Sequence, residues 1–162
     1  MPLKEADIPD KIAAARRWPA LVFDLDGTLV DSAPQITESL AYALAKANRP
    51  PLGRTAVISM IGDGVPTLTA RAFAATGGRD PDGEAQAIAE FHDHYQQIAH
   101  TSTAYPQSIE TLETLYAAGH RLGLCTNKSI AGTELVLKNL GIAGLFTTVI
   151  AGDSLPIRKP HP

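Results

Sequence analysis

The segment FDLDGTLVDS, residues 23–32, sets Asp24 and Asp26 two positions apart and follows them with Gly27, Thr28, Asp31 and Ser32. Two carboxylates this close repel unless a cation or a charge-neutralising ligand lies between them. A divalent, oxygen-seeking ion such as Mg²⁺ is the natural third party, with Asp24 and Asp26 as the candidate metal ligands. A carboxylate can also attack phosphorus to give an aspartyl-phosphate, while a second one protonates the leaving oxygen and later activates water. Asp24 is assigned the first task and Asp26 the second. A phosphoryl group further needs donors around its equatorial oxygens and a fixed positive charge. Thr126 and Asn127 in LGLCTNKS are the candidate donors, helped by backbone N–H groups at a helix start. Lys159 in RKPHP is the candidate charge.

Thr126 lies 100 positions after Asp26, and Lys159 a further 33, so a fold must gather them. ALVFDL, residues 20–25, is a short apolar run bounded by charge and glycine, which reads as a buried strand with Asp24 at its carboxyl end. RLGLCT (121–126) and TTVIAG (147–152) read as two more strands, with helices predicted over 109–118 and 130–140. That alternation implies a parallel sheet with right-handed crossovers. Ligands of such sheets bind outside the carboxyl ends of the strands, where Asp24, Asp26, Thr126 and Asn127 fall.

Between the first strand and the rest the period changes. Ser32 is a candidate N-cap, Pro34 suits a first turn, and Ile36, Leu40, Leu44 and Ala47 share one helical face ending near Asn48. Further helices are expected over 55–60, 67–75 and 84–99, the last with Ile88, Phe91, Tyr95 and Ile98 at helical spacing. Residues 33–102 thus read as helices without a strand. The expected fold is α/β: a Rossmann-like parallel sheet core of residues 20–32 and 103–162, interrupted by an all-helical insertion of residues 33–102. Residues 1–19 read as a mobile arm with a short helix over 11–17.

Composition narrows the function classes. The 162 residues are 44% hydrophobic with a net charge of −3, so no basic field exists to hold nucleic acid or an anionic membrane. A single cysteine, Cys125, excludes an internal disulfide framework and fits a cytoplasmic protein. The N-terminus has no apolar core of a secretion signal, and no run approaches a membrane span.

Competing chemistries are weaker. His92 and His94 are about 200° apart on a helix, and neither they nor His100 form the i, i+4 pair that chelation from one face needs, so a solvated face is expected. Cys125 lacks the arginine six positions later that a cysteine phosphatase would use; Ala131 stands there. Asp153 reads as a loop or capping acid, and Arg54 and Arg71 as surface or ion-pair residues.

The string DLDGTLVDS, the strand-Thr of LGLCTNKS and the Lys-Pro of RKPHP together resemble the haloacid dehalogenase superfamily of phosphohydrolases. TNKS, AGDSLPIRKPHP and RTAVISMIGDG are similar to its phosphoglycolate phosphatase branch. The resemblance runs from about residue 20 to the last residue. It implies Asp24 as nucleophile, Asp26 as acid/base, Thr126 and Lys159 on phosphate, and Mg²⁺ on the Asp24 carboxylate and the Asp26 carbonyl. It also implies that the helical insertion is a mobile cap, with Gly62, Asp63 and Gly64 of IGDG as its specificity loop. The expected activity is hydrolysis of a small phosphorylated acid such as 2-phosphoglycolate. Phosphosugar mutase or pyrophosphatase chemistry, or a non-catalytic remnant that binds phosphate or a partner, are the alternatives.

Two departures stand out. The family commonly has Pro-Gly where this chain has Pro106 and Gln107. Its fourth motif, an acidic pair on a strand well after the lysine, has no counterpart before Pro162, and Asp153 precedes Lys159. A truncated form is therefore expected, with an unpaired edge on the strand carrying Asp24, poor Mg²⁺ binding and little turnover.

Overall fold

The computed structural model describes residues 18–161, so residues 1–17 of the expected arm, with the helix expected over 11–17, lie outside the described residues. Strand β1 (Ala20–Phe23) is followed by the two-residue β2 (Val30–Asp31) and then by helices α1 (Ala33–Lys46), α2 (Arg54–Ile58), α3 (Val65–Ala75) and α4 (Pro81–Ile98). The two-residue β3 (Thr103–Ala104) leads to α5 (Ser108–Ala117), β4 (Arg121–Cys125), α6 (Ile130–Asn139) and β5 (Phe146–Ile150). The main sheet has the order β1-β4-β5, and both pairings are parallel.

Local sequence explains the helices. In α1, Ile36, Leu40, Ala43 and Leu44 recur at helical spacing and are buried, while Pro34 sits in the first turn, where its missing N–H costs nothing. In α4, Asp80 accepts from the Gly83 amide as N-cap, and Ala87, Phe91 and Tyr95 form the buried stripe that faces α1. Helix α4 starts three residues earlier than expected because Pro81 fits a first turn.

Two separate apolar clusters result. Ile36, Leu40, Leu44, Leu68, Phe73 and Phe91 belong to one made by the helices of residues 33–99. Leu25, Val30, Leu112, Leu122, Leu124 and Val136 belong to the other, built around the sheet. The chain passes between them through β2 and β3, which pair antiparallel as Val30↔Ala104 and Asp31↔Thr103. Neither strand was legible in the sequence, since two residues carry no alternation.

Strand β1 has the unpaired edge expected of the strand carrying Asp24, and it is less buried than its apolar run suggests. It pairs on one side only, with β4, and Val22 is 71% exposed. An edge position removes the cover that a central strand would have.

Gln107 occupies the position before α5 with φ of 67°, a left-handed conformation that costs an L side chain about 1 kcal/mol. Gln107→Gly is therefore expected to stabilise the chain by about 0.5 to 1 kcal/mol, the greater freedom of unfolded glycine offsetting part of the gain. Denaturant unfolding checks this; a lowered midpoint would contradict the strain.

Candidate active site

The carboxyl ends of β1 and β4 meet the underside of the helices. After Phe23 the chain turns at once: the Leu25 carbonyl accepts from the amides of Thr28, Leu29 and Val30, and Gly27 takes φ of 80°. This turn brings Asp24 and Asp26 onto one cavity of about 60 Å³, room for a ligand of few atoms. Thr126, Asn127 and Lys128 from the end of β4 line the same cavity, as do Gly62, Gly64, Phe91, His92 and Tyr95 from the helical part.

Each aspartate faces its own lysine. Lys159 Nζ donates to Asp24 Oδ1 at 2.9 Å and to the Cys125 carbonyl at 2.8 Å. Lys128 Nζ lies 3.1 Å and 3.3 Å from the two carboxylate oxygens of Asp26. Ser32 Oγ also donates to Asp26 Oδ1, at 2.5 Å. Ser32 is the residue before α1, as expected, but its side chain makes no cap bond; a charge-assisted bond to a carboxylate is the stronger option.

The Lys128 side chain is 8% exposed and lies with Nζ 4.4 Å from the centre of the Tyr95 ring. Burial opposes its charge, but attraction to Asp26 and to the Tyr95 oxygen prevails and raises its pKa above the ordinary lysine value. Lys128 was missed in the sequence because it adjoins the candidate pair Thr126 and Asn127 and has no signature of its own. The available signal was its offset: two residues past a strand end that already carried candidates.

Thr126 is buried, and its Oγ1 accepts from the Lys128 amide at 3.2 Å. Helix α6 starts after it, capped by Ser129 and by Asp153, whose Oδ1 accepts from the Ile130 amide at 2.8 Å. Asp153 thus takes the capping role expected of it.

Asn127 does something other than expected. Its Nδ2 donates to the Gly62 carbonyl at 2.8 Å and to the Lys159 carbonyl at 3.1 Å, which occupies both amide hydrogens. As placed, it ties the loop of residues 61–64 and the Lys159 segment to the end of β4. Gly64, at φ of 81°, lies so close that a Cβ there would stand 3.0 Å from the Asn127 carbonyl oxygen.

The IGDG expectation divides. Gly62 and Gly64 line the cavity, but Asp63 faces away from it, on Arg71 Nη2 at 2.6 Å. An aspartate between two glycines is free to find the nearest cation, and α3 supplies one. Arg71 is thereby the ion-pair residue expected, and Arg54 is another, 3.9 Å from Asp31.

The solvated histidine face is also corrected. His94 Nδ1 is 3.2 Å from Ser39 Oγ, and its ring stacks on Tyr42 at 4.6 Å. His92 lines the cavity, where burial holds its imidazole below the usual histidine range and Asp153 offsets this only in part. His100 is exposed, as expected. His92 meets the cavity at the end of β4, whereas His94 meets Ser39 and Tyr42 of α1, contacts that a helical period does not carry. Cys125 is free and half-buried at the strand end, with its carbonyl rather than its thiol in the network.

No group of three or more His, Cys, Asp or Glu side chains converges among the described residues. The Asp26 carboxylate is engaged by Ser32 and Lys128 and Asp24 Oδ1 by Lys159, which leaves Asp24 Oδ2 and main-chain carbonyls as metal donors. That set fits Mg²⁺, which commonly takes one or two carboxylates, waters and phosphate oxygens.

Comparison with known proteins bears on the family. The model of a hydrolase family, haloacid dehalogenase-like hydrolase, matches residues 18–162. A phosphoglycolate phosphatase of Cereibacter sphaeroides is 42% identical over 147 residues, covering 89% of this chain and 67% of its own length. That of Rhodospirillum rubrum is 43% identical over 150 residues, covering 88% and 62%. A crystal structure from Haemophilus somnus, described as a predicted phosphoglycolate phosphatase, superposes with a TM-score of 0.85 at 34% identity, covering 90% of this chain and 68% of that one. The chain thus spans about two thirds of the length of these relatives. With its parallel sheet, its paired aspartates at the end of β1 and this match along nearly its whole length, the chain belongs to the haloacid dehalogenase-like hydrolases, among the phosphatases of that family.

Proposed function

We propose that the chain is a Mg²⁺-dependent phosphomonoester hydrolase that works through an aspartyl-phosphate on a small phosphorylated acid, with 2-phosphoglycolate as first candidate. The observation that carries this reading is the meeting of Asp24, Asp26 and Thr126 on one small cavity, with Lys159 bonded to Asp24. The names of its relatives supply the substrate.

In this reading an Asp24 oxygen attacks phosphorus as the ester P–O bond breaks, and Asp26 gives its proton to the departing alkoxide. Asp26 then takes a proton from water, whose oxygen attacks the acyl phosphate and releases phosphate and the Asp24 carboxylate. Thr126 donates to a phosphoryl oxygen, and Lys159 balances the charge beside Asp24. Ser32 and Lys128 fix the rotamer of Asp26. Mg²⁺, held by the Asp24 carboxylate and the Asp26 carbonyl, would supply charge neutralisation at the phosphoryl group.

The helices of residues 33–102 act as a cap over a core of residues 20–32 and 103–162, with the β2–β3 pair as its stem and Gly62 and Gly64 at its contact with Asn127. The partner is a small phosphorylated metabolite and the setting is the cytoplasm; among the described residues no helix is long and apolar enough to cross a membrane.

The test is phosphate release from 2-phosphoglycolate, a phosphosugar and pyrophosphate, with and without Mg²⁺. The expected result is release from 2-phosphoglycolate that stops when the metal is chelated. Metal-independent release, or a preference for pyrophosphate, would overturn the assignment.

A further inference from the structure

Tyr95 is 3% exposed and lines the cavity, yet its hydroxyl has no hydrogen-bond partner among the described residues. A buried hydroxyl without a partner costs about 1 to 3 kcal/mol and calls for an explanation. Beside it stands Lys128, an ammonium with three N–H donors, of which the Asp26 carboxylate can engage two. One ammonium hydrogen, drawn toward the Tyr95 oxygen but in no hydrogen bond with it, and one phenolic hydrogen therefore remain on the same wall. Ile36, Leu68 and Phe91 contribute carbon to the lining of the same cavity, and His92, Thr126 and Ser129 contribute its other polar side chains.

We infer that Tyr95 and Lys128 form an anion seat, separate from the phosphoryl position beside Asp24, Thr126 and Lys159, which receives the carboxylate of a small phosphorylated acid. This rests on the hydrolase reading above for the identity of the second anion. Two donors side by side match the two oxygens of a carboxylate, and the cation makes an anion preferable to a neutral hydroxyl. The volume of about 60 Å³ keeps the link between the two anions short. Binding energy from this non-reacting end would position the ester for attack by Asp24. An analogue without the carboxylate would leave both donors unpaired, which is where discrimination is large.

The experiment measures affinity and turnover separately, on the 162-residue chain in Mg²⁺ buffer, with 2-phosphoglycolate and the neutral-ended 2-hydroxyethyl phosphate. Calorimetry should show 2-phosphoglycolate binding about tenfold tighter or more, the effect of one hydrogen bond to a charged group. Tyr95→Phe, which keeps the ring stacked on Phe91, should shrink that ratio by about fivefold or more. Equal affinities in the unaltered chain, an unchanged ratio in Tyr95→Phe, or no binding of either compound would overturn the seat. Selective binding without phosphate release would refute the hydrolase reading while the seat stands. Release without selectivity would do the reverse.

Discussion

Asp24→Asn is expected to lower phosphate release by on the order of 10⁴-fold or more while the fold persists, because an amide oxygen cannot form the acyl phosphate on which both half-reactions depend. The substitution is nearly isosteric. Asp24 is half-buried and its ion pair with Lys159 is well exposed, at 40% and 37%, so the stability cost of losing that pair is below about 1 kcal/mol. Activity and stability should therefore separate cleanly. The check is a phosphate-release assay beside a denaturant unfolding curve. Beryllium trifluoride, an acyl-phosphate mimic, should attach to Asp24 in the unaltered chain and fail to attach in the variant. Residual turnover within tenfold of the unaltered chain would remove Asp24 from the role of nucleophile.

Lys128→Met gives the contrasting result: a loss of stability of about 3 kcal/mol, read as a lowered unfolding midpoint. The side chains of Lys128 and Asp26 are only 8% and 15% exposed, and removing one partner leaves the other charged, poorly hydrated and unpaired. Lys159→Met is the control. It removes an equally charged group from the same site, yet its partner stays hydrated, so its stability cost should be several-fold smaller. The two lysines thus differ in what they hold: Lys159 bears on the chemistry at Asp24, whereas Lys128 ties β4 to the turn after β1. Equal costs for the two variants would show that burial does not separate them.

The helices were readable because a buried stripe recurs every three to four residues, as in Ile36, Leu40 and Leu44, whatever lies across from it. The parallel sheet was readable because its strands alternate with helices, and the placement of Asp24, Asp26 and Thr126 followed from the rule that strand ends carry the ligands. All three line one cavity, and Lys159 joins them through Asp24.

What could not be read depended on surfaces brought together from far apart. The β2–β3 pair joins residues more than 70 positions distant and is too short to leave a pattern. The resemblance implies Asp63 as part of a specificity loop, but a guanidinium on α3 holds its side chain. His92 and Tyr95 belong to a helix whose own period says only that part of it is buried; that they meet the end of β4 is decided by how α4 packs against α6.

The sequence by itself determined the chemistry available, through residue types at strand ends and helix periods, since both are local properties of the chain. The tertiary structure alone decided which charges are paired: Lys128 with Asp26, Lys159 with Asp24, and Asn127 with the Gly62 carbonyl. Coulomb attraction and desolvation depend on distance and burial in space, and neither is encoded in the spacing of residues along a chain.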